Sequence, residues 1–245
     1  MLIRRGLLFA ATTLTAAALA AAAGVPAQGA PAVAGVAVQA ADQAANLANA
    51  KKLTTVRIDG RLALLRAEGV AIRNAARLTD AHQAALQKII DADIAGLTEL
   101  RAKVATETTA EAVRADARSM VEDYRVYLLV RPQVHLTVAA DVESAALARL
   151  RTLHDKLAQA VAAAKSAGKD VGDAEAKLAH LKSELDATES ALSGLADDLL
   201  AVQPGPDAAA IKAKTAAART DVRTARTHLR AAVADAKALR TLLKP

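Results

Sequence analysis

Between Ala32 and Gln203 the chain has one proline, Pro132. Proline removes a backbone donor and clashes with the preceding turn, so a chain that nearly lacks it is free to be helical over most of its length. The residues filling that length agree: 53% are hydrophobic, but only 1% are aromatic. A β-sandwich or a doubly wound sheet would carry more rings, more β-branched residues and a regular scatter of glycine and proline turns. The fold class expected is therefore all-α, an elongated bundle of long antiparallel helices. With no cysteine anywhere, thiol chemistry and disulfides are excluded, and packing of Ala, Leu and Val must hold the fold.

The first residues read as an address. Arg4 and Arg5 precede an apolar run from Gly6 to Ala23, and small residues Val25 and Ala27 fit a cleavage site after Ala27. Residues 1–27 are thus expected to be a cleaved signal peptide, which places the protein outside the cytoplasm, in the cell envelope or beyond. Its removal leaves 30 basic against 26 acidic residues, a charge of +4 (the leader carries only Arg4 and Arg5), and no transmembrane segment. Residues 28–41 lack periodicity and are expected to form a disordered tail.

From Asp42 to Lys169 the spacing predicts a helical bundle with a break near Pro132. Leu53, Ile58, Leu62, Leu65 and Ile72 fall on one side of a first helix ending near Arg77, with Gly60 and Gly69 as weak points. Thr79 reads as the N-cap of a second helix, and Thr108 with Glu111 as a capping box opening a third. Residues 170–245 are expected to form a coiled-coil-like antiparallel hairpin. Val171, Ala174, Leu178, Leu181, Leu185, Thr188, Leu192, Leu195, Leu199 and Val202 alternate by three and four. Pro204-Gly205-Pro206-Asp207 turns the chain, and a second seam runs from Ile211 to Leu243.

Charge supports that pairing. Residues 170–203 carry eight acids against Lys177 and Lys182, a net −6, whereas 204–245 carry nine basic residues against Asp207, Asp221 and Asp235, a net +6. Arg219, Arg223, Arg226, Arg230 and Lys237 form one stripe beside the apolar seam. The expectation is that the acidic arm neutralises this stripe. The alternative is that the stripe captures an anionic envelope polymer, and a surplus of unpaired cations would favour it.

The segment Asp123-Tyr124-Arg125-Val126-Tyr127-Leu128-Leu129-Val130-Arg131-Pro132-Gln133-Val134-His135-Leu136 holds both tyrosines and the one internal proline. A packed kink at Arg131-Pro132 is the reading preferred, with the two tyrosines three apart on one helix face. A short VYLLV/VHLTV hairpin and a partner groove with Tyr124, Tyr127 and His135 as polar handles are the alternatives. This segment, with IDGRL at 58–62, LTDAHQAAL at 78–86 and IAGLTELRAKV at 94–104, resembles a group of uncharacterised secreted actinobacterial helical proteins. The resemblance covers the middle of the chain and implies no activity and no catalytic residue.

Enzyme signatures are missing. His82, His135, His154, His180 and His228 are scattered without an HExxH, and no GxSxG, P-loop or GxGxxG occurs. No metal, cofactor or nucleic acid is expected. The function expected is that of a non-enzymatic structural or interaction protein, working through a protein partner or self-association. Polyanion binding and an extracytoplasmic chaperone role are the alternatives, and an exposed apolar stripe would favour the latter.

Overall fold

The computed structural model describes residues 31–244, and the expected signal peptide lies outside them. The chain divides into two units, with the boundary between Asp42 and Gln43. In the first, the expected tail 28–41 is helical from Pro31 onward, where the helix α1 (Pro31–Arg73) begins. Proline at the first helical position gives up a donor that has no partner there anyway, and the alanines that follow are the best helix formers.

The second unit holds the rest of α1, from Gln43, and every later helix. These are α2 (Asp80–Thr106), α3 (Ala110–Glu122), a π-helical turn (Val126–Val130), α4 (Arg131–Ser166), α5 (Gly172–Leu192), α6 (Leu195–Leu200) and α7 (Ala208–Leu242). No strand occurs among the described residues, so the fold is the all-α bundle expected and the VYLLV/VHLTV hairpin is not formed. Helices α1 and α2 run antiparallel: Lys51 Nζ donates to the Ala105 carbonyl at 2.7 Å, Arg101 Nε to Asp59 at 2.7 Å, and Arg73 to Gln87 at 3.5 Å. Between them Ile58, Leu62, Leu65 and Ile72 bury against Leu86, Ile90, Leu97 and Val104. Leu53, expected on the same side, is 52% exposed.

Thr79 caps α2 as expected, its hydroxyl accepting from His82 N at 3.3 Å. The cap of α3 is one residue later than expected: Thr109, with extended φ and ψ, accepts from Ala112 N at 3.2 Å. The break also moves. Arg131, just before the proline, is helical at φ −60° and ψ −47°, and Pro132 sits in the first turn of α4, where its missing donor costs little. The chain turns instead at Arg125, which stands in the left-handed region at φ 46°. That conformation costs about 1–2 kcal/mol for a non-glycine residue. Arg125 offsets it by donating Nε to the Gly205 carbonyl at 2.7 Å and Nη2 to the Pro206 carbonyl at 2.9 Å.

In the C-terminal half, α5 and α7 pair antiparallel, with Lys177 and His180 opposite Asp235 and Glu184 opposite His228. Leu181, Leu185, Leu229, Ala232, Ala236 and Leu239 fill the seam, together with Leu147, Leu157 and Val161 of α4. The first arm is not continuous. It stops at Ser193, and Gly194 at φ +67° restarts it as α6. The apolar heptads continue through this interruption because Leu195 and Leu199 still bury, now against Leu136 and Val222.

Candidate functional site

Counting heptad positions along α7, with Ile211, Ala218, Ala225, Ala232 and Leu239 at d and Thr215, Val222, Leu229 and Ala236 at a, all of these are buried. The g flank, holding His228 and Asp235, faces α5. The e flank faces α4, because Arg226 Nε donates to Glu143 Oε1 at 2.8 Å. Position b lies beyond e, on the outside. From Lys212 to Lys244 the e positions are Lys212, Arg219, Arg226, Val233 and Arg240, and the b positions are Ala216, Arg223, Arg230, Lys237 and Lys244. Eight of these ten are basic, and none is acidic.

The neutralisation expected from the acidic arm therefore does not occur. Among the described residues Arg226 makes the stripe's one ion pair, and it goes to Glu143 of α4. Four of the five acids of α5 are engaged elsewhere: Glu175 with Lys165, Asp186 with Lys182 and Arg151, Glu189 with Arg151, and Glu184 with His228. Across the α5–α7 seam one contact runs the other way round, since Asp235 of α7 takes Lys177 at 3.1 Å and His180 at 2.5 Å. Arm totals hid this, because a net charge does not say which flank of a helix carries it. Arg219, Arg223, Arg230 and Lys237 are all exposed. On α4, Arg151 points toward α5. Arg149 and Lys156, also exposed, stand on the side of that helix turned away from Arg151.

The tyrosines part company at the Arg125 turn. Tyr124 is half-buried and packs into the α1–α3 core over Gly96, where a Cβ would sit 2.5 Å from its hydroxyl. Burial, with the charge of Asp123 beside it, pushes its phenol up. Tyr127 is 52% exposed and lies under the Arg61 guanidinium, 5.0 Å from the ring centroid. They do not share a face, so the common packing role expected of them holds for Tyr124 alone. His135 reaches Glu68 Oε1 of α1 at 3.2 Å, next to Arg131 at 3.7 Å. His135 thus serves as a hydrogen-bond partner of a buried carboxylate, on a different part of α1 from Tyr127 at Gly60.

Sequence reasoning missed Gln133, Asp141 and Glu143, polar residues that α4 buries. Gln133 donates to the Leu199 and Val202 carbonyls at 2.9 and 3.1 Å, satisfying the end of α6. Their one sequence signal is a polar residue on the apolar face of a long helix. A cleft of about 580 Å³ opens at the α5–α6 break, lined by Ser190, Ser193, Asp198, Lys214 and Asp221. Among the described residues no group of three His, Asp or Glu could hold a metal ion, and no helix is long and apolar enough to cross a membrane. Compared with known families, curated proteins and solved structures, the chain matches none.

Proposed function

We propose that the protein is an exported, non-enzymatic helical binding protein whose α7 captures a linear anionic polymer of the cell envelope. The reading rests on the acid-free e and b stripe, with its single ion pair. At about 1.5 Å per residue, the span from Lys212 to Lys244 lays a row of cations along roughly 50 Å of straight helix, suited to a chain of evenly spaced phosphates or carboxylates. The residues around the stripe are Ala213, Ala217, Thr220, Thr224, Thr227 and Ala231. Apart from Val233 within the stripe itself, they offer no bulky apolar group for insertion into a bilayer, which favours a polymer over a lipid surface. Export rests on the leader-like residues 1–27.

Co-sedimentation with purified wall polymer tests the reading. Attraction between exposed charges is screened beyond about 8 Å at physiological ionic strength, so binding should fall steeply with salt. It should also be lost when Arg219, Arg223, Arg230 and Lys237 are replaced together by glutamine, with folding intact. Binding indifferent to both changes would remove this function.

A further inference from the structure

Helix α1 carries a second apolar seam that none of the described residues covers. The inward face holds Thr54, Ile58, Leu65 and Ile72, all buried. On the opposite face Leu53, Val56, Gly60, Ala63, Ala67 and Val70 alternate by three and four, and every one is exposed. Leu53 is 52%, Val56 61% and Val70 49% exposed. The same spacing carried one step further reaches Asn49 before the stripe and Asn74 after it, so a polar, exposed residue closes each end. An unbroken three-and-four repeat over about five turns is the pattern that another helix reads, since it keeps one narrow stripe facing a partner along its length. The exposed ring of Tyr127 lies beside its middle, with its hydroxyl 3.8 Å from where a Gly60 Cβ would be.

We propose that this face is a self-association surface, on which α1 of a second copy docks antiparallel. The seam is self-complementary about a two-fold axis between Arg61 and Leu62. Leu53 then meets Val70 of the second copy, Val56 meets Ala67, and Gly60 meets Ala63, so the large residues lie toward the ends and the small ones let the backbones approach at the centre. Asn49 meets Asn74 where the stripe stops. In the same register the flanking Asp59, which already holds Arg101 of α2, faces Arg66 of the other copy twice over, while Lys52 and Arg73 meet at the solvent-exposed ends. A parallel pairing would instead set Lys52 against Arg57 on both sides and leave Asp59 facing Leu64. Charge thus selects the antiparallel register, and symmetry makes every contact occur twice. Two exposed Tyr127 rings would rim the interface, and aromatic residues are enriched in protein contacts.

The experiment uses the whole protein. Light scattering over a range of micromolar concentrations should give the mass of a dimer, and the double variant Leu53→Glu, Val56→Glu should be monomeric with an unchanged helical spectrum, because both side chains are exposed. The chain has no cysteine, so Gly60→Cys with Ala63→Cys reads the register directly: mild oxidation should link the copies covalently. A monomer at all concentrations overturns the proposal, as does a dimer that survives the glutamates. A glutamate-sensitive dimer that the paired cysteines do not lock overturns the antiparallel register. Binding of the monomer to anionic vesicles through this face would assign the seam to a lipid surface instead.

Discussion

Asp93 of α2 is half-buried, and its Oδ2 has no hydrogen-bond partner. Burial pushes its carboxyl up to about 7. A carboxyl whose pKa is raised in the folded state is held most favourably when protonated. Its contribution is present below the unfolded value near 4 and is lost as pH rises through about 7. Asp93→Asn should therefore raise the melting temperature at pH 8 by a few degrees, on the scale of about 2–4 °C per kcal/mol for a chain this size. At pH 4 it should change little, and paired melts at the two pH values check this. One turn away, Gly96 is required by the Tyr124 ring resting on it. Gly96→Ala forces the ring to move, at the roughly 1–3 kcal/mol typical of overpacking. Its effect should shrink when Tyr124 is already alanine, a non-additivity that a double-mutant cycle reads.

At the scale of elements, the α5–α6 interruption and the α5–α7 seam set the geometry of the basic helix. Gly194→Ala places a Cβ at φ +67° and should cost about 1–2 kcal/mol, with asparagine tolerated better. Asp235 anchors the seam. Burial pushes its carboxyl up, but hydrogen bonds from His180 and Lys177 outweigh it and hold the carboxyl below the usual range. The stability it confers is present above the unfolded pKa and is lost as pH falls through the folded one. Asp235→Asn should thus weaken the protein at pH 7 and become neutral near pH 2 in denaturant titrations.

The helices and their cores are legible in the sequence because apolar spacing reports directly which face buries: Ile58, Leu86, Leu181 and Leu229 all fall where the periodicity puts them. The cap at Thr79 and the turn ending at Asp207 are equally plain, and Asp207 opens α7 by accepting from Ala210 N at 2.9 Å. Three features are not legible, for physical reasons. Heptads run unbroken through Ser193-Gly194, so the pattern does not show the interruption. Pro132 marks a helix start as readily as a kink, and only the tertiary latch of Arg125 fixes the turn upstream. The freedom of the basic stripe depends on where α4 packs, which neither arm reveals alone. Of the residues to which the sequence points, Arg219, Arg223 and Arg230 stay free on the surface, while Arg226 and His135 serve buried carboxylates.

At the scale of the whole second unit, the structure has an α1–α3 core and a set of α4–α7 cores, joined through the π-helical turn, the start of α4 and Leu200 of α6. Polar joints tie these parts, and the tightest is centred on Asp141. This residue is 6% exposed. It accepts from Thr79 N at 2.7 Å and contacts His82 Nδ1 at 2.8 Å, and His82 reaches on to Asp197 of α6 at 3.4 Å. One carboxylate of α4 therefore anchors the beginning of α2 and, through His82, touches α6. Asp141→Ala removes the acceptor of the part-buried Thr79 backbone donor and the nearer partner of His82, a loss typically of about 1–3 kcal/mol. Each part keeps its own apolar core, so the damage should fall on their coupling more than on either core. Calorimetry of the parent should show one cooperative transition, and Asp141→Ala should show two, the first lowered by on the order of 10 °C. A single transition shifted as a whole would mean that the apolar contacts of Val126, Val130, Val134 and Leu200 couple the parts by themselves.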